Sequence, residues 1–147
     1  MNKEAMIEKM KRDRFASELV GIEIDDVAPG WARTRLVIGP QHLNGVGIAQ
    51  GGALFTLADY AFGVAGNCGD EEVVAIEVAM SFLKPCHPGS TVYAEAKELS
   101  RSKRLVSYDI PITNQDGVLI ARFSGRGFIR EPQPENKKTE HVSEHVA

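Results

Sequence analysis

Between Gly51 and Asn67 the chain reads GGALFTLADYAFGVAGN, a helical stretch that is apolar on nearly every side. Ala53, Leu54, Phe55, Leu57, Ala58, Tyr60, Ala61, Phe62, Val64 and Ala65 leave no continuous polar face. Such a helix predicts burial, with other structure wrapped around it. One carboxylate, Asp59, interrupts it. Charged side chains are seldom buried without a partner or a purpose, so Asp59 is the residue to explain.

The rest of the chain supplies the wrapping. Residues 3–18 predict a short amphipathic helix, with Met6, Ile7, Met10 and Phe15 roughly on one side. From Leu19 to Val27 and again from Trp31 to Ile38 apolar residues recur at every second position. That period marks strands with one wet face, and Pro29-Gly30 between them predicts a hairpin. Val73 to Leu83 is nearly all apolar and reads as a central strand covered on both faces. Thr91 to Leu99, Leu105 to Thr113 and Val118 to Arg130 complete the set, the last two joined by an Asp116-Gly117 turn signal. Pro111 inside its strand pattern predicts an edge or a bulge there. The expected architecture is α+β: an antiparallel sheet of about six strands wrapped round one long helix, spanning residues 19–130.

Beyond residue 130 the chain is polar without apolar periodicity, which predicts a disordered tail over residues 131–147. His141 and His145 in that tail lack further ligands and read as solvated rather than metal-binding. The whole is 147 residues, enough for one domain with a proper core. A net charge of -3 gives no general electrostatic reason to bind nucleic acid or an anionic membrane. No apolar run has the length of a membrane span, and the charged N-terminus lacks the apolar core of a signal peptide. Cys68 and Cys86 form neither a metal motif nor a disulfide framework and read as reduced thiols, so a cytoplasmic protein is expected.

The chemistry starts at the head of the long helix. Gly51 and Gly52 sit where backbone N–H groups lack helical partners and the macrodipole is positive. Such an end holds a carboxylate, a phosphate or the oxyanion of an attacked carbonyl. Asp59 lies eight residues further on, roughly 12 Å along the axis at the helical rise. One acyl carbon cannot touch both groups of one helix. If both serve one reaction, the carboxylate comes from a second copy, and a twofold dimer creates two such composite sites. Burial predicts a raised Asp59 pKa. The residue alone leaves a structural carboxylate and a catalytic base or nucleophile equally open.

Asn44-Gly45, a short spacer, Gly51-Gly52 and then Leu57-Ala58-Asp59 form an ordered set. With VAIEVAMSFLKP and HPGSTVYAEAKEL downstream, it resembles the hotdog-fold acyl-CoA thioesterases, in the phenylacetate-pathway (PaaI-like) branch. The resemblance implies a hotdog fold, a homodimer paired again into a homotetramer, and hydrolysis of an acyl-CoA to free acid and CoA without metal or bound cofactor. By position it implies Asp59 as catalytic carboxylate, the Gly51 backbone N–H as oxyanion hole, and Asn44 and Gln50 as groups that place the thioester. Relatives commonly carry histidine where this chain has Gln50, and some carry serine where it has Ala75. Glutamine still donates a hydrogen bond but forms no imidazolium.

For the CoA phosphates the candidates are Lys84, Arg101, Lys103 and Arg104, with Arg126; Gly52 adds a second backbone donor. His42 and His87 read as surface histidines, and Phe55, Tyr60, Phe62 and Trp31 as core more than pocket lining. A hotdog hydratase ranks low because the central helix has no histidine. The alternative from another class is a non-catalytic acyl-CoA-binding hotdog domain.

Overall fold

The structure is a computed structural model and describes residues 2–132. The expected tail, including His141 and His145, lies almost wholly outside the described residues. In chain order come α1 (Lys3–Met10), a π-helical turn (Phe15–Val20), β1 (Glu23–Ala28), β2 (Trp31–Val37), a 3-10 turn (Pro40–His42) and α2 (Gly51–Asn67). Then follow β3 (Glu72–Phe82), β4 (Thr91–Arg101), β5 (Leu105–Asn114) and β6 (Leu119–Arg130). The strands form one antiparallel sheet in the order β1-β2-β4-β5-β6-β3. Among the described residues no helix is long and apolar enough to cross a membrane.

Alternation along the strands decides the core. Ala32, Thr34 and Leu36 of β2, Val92, Ala94 and Ala96 of β4, and Val106, Tyr108, Ile110 and Ile112 of β5 are all buried. They meet Leu54, Leu57, Ala58, Ala61, Phe62 and Val64 of α2 in one cluster. Thr34 donates its hydroxyl proton to the Leu57 carbonyl oxygen at 2.8 Å, tying sheet to helix. On β6, Gly125 and Gly127 make room for Phe62: a Cβ on Gly127 would stand 2.9 Å from the ring. The β1–β2 hairpin turns at Gly30 with φ 71°, and the β5–β6 turn at Gly117 with φ 75°.

Four expectations need correction. The N-terminal helix is broken, because the Asp13 carboxylate accepts the Ala16 N–H at 3.0 Å and starts a new helical turn. That turn takes Leu19 and Val20 out of the first strand, which begins at Glu23. Among the described residues β3 is not central but an edge strand, paired with β6 alone. Several of its apolar residues are therefore bare: Val74 is 39%, Ile76 55% and Phe82 56% exposed, with Leu83 just beyond at 53%. An apolar run on both faces predicts cover, but nothing among the described residues supplies it. Pro111 lies on an internal strand rather than an edge, and the bulge alternative is met beside it, where the β5–β6 register shifts between Ile112–Ala121 and Thr113–Leu119. Finally, α2 keeps one stripe uncovered, since Gly52, Phe55, Thr56, Asp59 and Gly63 all stay outside the buried set.

Candidate active site

Gln50 is the N-cap of α2, and its side-chain oxygen accepts the Gly52 N–H. Its backbone carbonyl accepts the Ala53 N–H at 2.9 Å. The Gly51 N–H has no acceptor among the described residues. It is an unspent donor at the positive end of a 17-residue helix. The Gln50 amide is thus half committed: its oxygen caps the helix, and only its NH2 remains to donate outward.

Gly51 opens into a pocket of about 420 Å³ walled by Asn44, Ile48, Leu54, Phe82, Leu83, Lys84, Pro85 and Cys86, among others. Asn44 is held by its own loop. Its side-chain oxygen accepts the Val46 N–H at 3.0 Å and the Ile48 N–H at 3.3 Å, leaving the amide NH2 without a partner among the described residues. Lys84 makes no ion pair among the described residues. Burial pushes the Cys86 thiol up, so it stays protonated and is a poor nucleophile.

Asp59 does not line this pocket. It lies half-buried on the uncovered stripe of α2, and no hydrogen bond or ion pair holds it among the described residues. Burial raises its pKa above the ordinary carboxylate value, and the negative charge of Asp13 raises it further. The next residue, Tyr60, donates its hydroxyl proton to the Met10 carbonyl at 2.9 Å, which pins the N-terminal segment alongside.

The basic residues fall at two places. Lys84 stands beside Gly51, whereas Arg101, Lys103 and Arg104 gather beyond the C-terminal end of α2. Arg101 is ion-paired with Glu71 at 2.6 Å and with Glu98. Lys103 and Arg104 border a hollow of about 650 Å³ with Phe128 and Arg130. Arg126 is exposed on β6, in register with Glu77. Ala75 pairs with Gly127 on the helix-facing side of β3, just before a bulge, whereas Ser81 pairs with Arg122 on the outer side.

Tyr60 and Phe62 are core. Phe55 rests on Phe123 with ring centroids 5.5 Å apart. Trp31 lies on the outer face, its indole N–H donating to Glu95 at 3.2 Å. His87 is exposed but His42 is buried, contrary to the surface reading of both. Sequence reasoning missed Phe82 as the cover of Gly51. The period-two pattern of β3 was its available signal, since it puts Val78, Met80 and Phe82 on the face that meets α2.

Comparison with known proteins follows the same lines. Residues 46–121 match the thioesterase superfamily. The acyl-coenzyme A thioesterase PaaI of Escherichia coli K12 is 37% identical over 117 residues, covering 80% of this chain and 84% of that one. A structure of the E. coli PaaI protein from the phenylacetic acid degradation operon superposes with a TM-score of 0.79 at 33% identity, over 82% of this chain and 88% of that chain. The TT0310 protein of Thermus thermophilus gives 0.75 at 36% identity, over 80% and 97%. With its six-stranded sheet, its central helix and these relatives, the chain belongs to the thioesterase superfamily and has its hotdog fold.

Proposed function

We propose that this protein is a cytoplasmic acyl-CoA thioesterase that works as a homodimer, each site joining Gly51 of one subunit to Asp59 of its partner. The observation that carries the reading is the unspent Gly51 N–H in a pocket that its own Asp59 does not reach. The thioester carbonyl oxygen binds at Gly51, where charge develops as the carbon becomes tetrahedral. Asn44 and Gln50 offer their free amide NH2 groups to the same substrate. The partner's Asp59, ionised, takes the proton of an attacking water or attacks the carbon itself. With water attacking, collapse breaks the C–S bond, the proton passes from Asp59 to the CoA sulfur, and the free acid leaves. With Asp59 attacking, collapse expels the CoA thiolate and leaves an acyl-aspartyl anhydride, which water then hydrolyses to the free acid and the original carboxylate.

The bare edge of β3 and the uncovered stripe of α2 support the dimer, because an exposed apolar edge strand is a template for a second copy. Antiparallel helices in such a pair bring the partner's Arg101, Lys103 and Arg104 turn toward the Gly51 end. There it joins Lys84 around the CoA phosphates. Val74, Phe128 and Leu105, neighbours in register on the outer face, support further pairing into a tetramer.

The test is complementation. Asp59→Asn and Gly51→Pro are each expected to be inactive; proline suits the first helical position but carries no N–H. Unfolded and refolded together, they form mixed dimers in which one of two sites is intact. Activity then returns to about a quarter of wild type, by the counting of a twofold dimer. No recovery in verified mixed dimers contradicts the shared site.

A further inference from the structure

His42 is absent from the chemistry above, yet it is the most thoroughly bonded histidine among the described residues. Its side chain is buried, with 6% of the residue exposed. Nδ1 accepts the Gly39 N–H at 3.0 Å, so the ring proton sits on Nε2, which donates to the Val20 carbonyl at 2.7 Å. The backbone carbonyl of the same residue accepts the Gln50 N–H at 2.7 Å. One residue therefore ties together the turn after β2, the N-terminal π-helical turn and the cap of α2.

Between His42 and Gln50 the chain closes on itself. Leu43 bridges Ala49, and the Asn44 N–H donates to the Ile48 carbonyl at 2.8 Å. The loop that carries Asn44 and the helix start that carries Gly51 thus rise from one base, and the His42 ring fixes that base. We propose that His42 is a positioning residue of the thioester site, setting the Gly51 N–H and the Asn44 amide relative to one another. The inference rests on reading those two groups as substrate-binding.

The ring acts as a connector with one acceptor and one donor. It does not line the pocket. Misplacing a substrate-holding group by about 1 Å costs on the order of 100-fold in rate.

Three substitutions separate the bonds. His42→Asn keeps an acceptor for Gly39 but falls short of Val20. His42→Gln reaches Val20 but gives up the Gly39 acceptor. His42→Ala loses both. The experiment measures kcat and KM for thioester hydrolysis per folded protein, with melting temperatures and NMR shifts of the Gly51 N–H and Asn44 NH2. Positioning predicts that His42→Ala lowers kcat by about 10- to 100-fold with KM little changed. His42→Asn and His42→Gln fall between, and both amide signals move. Lower melting temperatures with unchanged kcat and unmoved signals overturn the inference. If wild type hydrolyses no thioester, the functional reading fails instead. The NMR shifts then decide the positioning alone, unmoved signals overturning it and moved signals supporting it.

Discussion

The ring of Phe82 lies over Gly51, so closely that a Cβ on Gly51 would stand 3.1 Å from its Cζ. Phe82 ends the bare edge strand and Gly51 begins the central helix. Their contact therefore sets the width of the pocket where helix and sheet edge meet. Gly51→Ala keeps the N–H but pushes this ring away, and we expect kcat/KM to fall by roughly tenfold or more. Combining it with Phe82→Ala relieves the contact. In the double-mutant cycle Gly51→Ala then costs less than it does alone. Additive losses measured in that cycle would show that the ring and the glycine act separately.

The Asp59 carboxyl is raised by burial first and by Asp13 second, and the reaction needs its ionised form. Activity should thus fade as pH drops through a value above the ordinary carboxylate range. Asp13→Asn removes the smaller cause and moves that acid limb downward by the lesser part. Asp13 is exposed, so salt should do the same in wild type. A pH profile of kcat/KM with and without Asp13 checks both.

The same shift bears on stability. A carboxyl whose pKa is raised by folding binds protons more tightly in the native state. Native stability therefore falls as pH rises from the unfolded carboxyl value to the folded one, and the loss is complete above the folded value. Asp59→Asn should accordingly raise the melting temperature at neutral pH. The gain should vanish below the unfolded carboxyl value. Calorimetry at neutral and acid pH, at fixed protein concentration, measures it.

Gly127→Ala drives a methyl group into Val73 and into Phe62, whose nearest atom would stand 2.9 Å from it. Overpacking of this kind costs about 1–3 kcal/mol. Chemical unfolding should show that loss, and a smaller loss in Gly127→Ala with Val73→Ala, where space is restored.

Ile76 is 55% exposed beside the bulge of the edge strand. A lysine there places a charge on the surface assigned to the second subunit, one of the ways natural edge strands avoid pairing. Ile76→Lys should sediment as a monomer and lose thioesterase activity together. A dimeric, active variant would put the interface elsewhere.

Much of this architecture is legible from periodicity, because burial acts on one residue at a time. The all-round apolar pattern marks α2, and Pro29-Gly30 and Asp116-Gly117 mark two hairpins through backbone geometry. Asn44, Gly51 and Lys84, singled out as residues, meet in one pocket. What periodicity does not report is which surface covers an apolar strand. β3 consequently reads as central although it is an edge. Long-range hydrogen bonds are equally silent: His42 is buried by a carbonyl 22 residues away, and no local pattern announces that bond. Nor did the sequence show that Asp13 breaks the first helix and then faces Asp59, since an aspartate at that position also suits a helix surface.

Thiol release from aryl-, medium- and long-chain acyl-CoA thioesters, measured for wild type beside Asp59→Asn, tests the account most directly. The substitution keeps the shape of the side chain and removes its charge. We predict that wild type turns over at least one acyl class and that the variant loses about 100- to 10,000-fold, the range expected for a positioned acid–base group. If both proteins release thiol alike, Asp59 is not catalytic and the mechanism fails. If no thioester is hydrolysed, an acyl-CoA-binding domain takes the place of the enzyme.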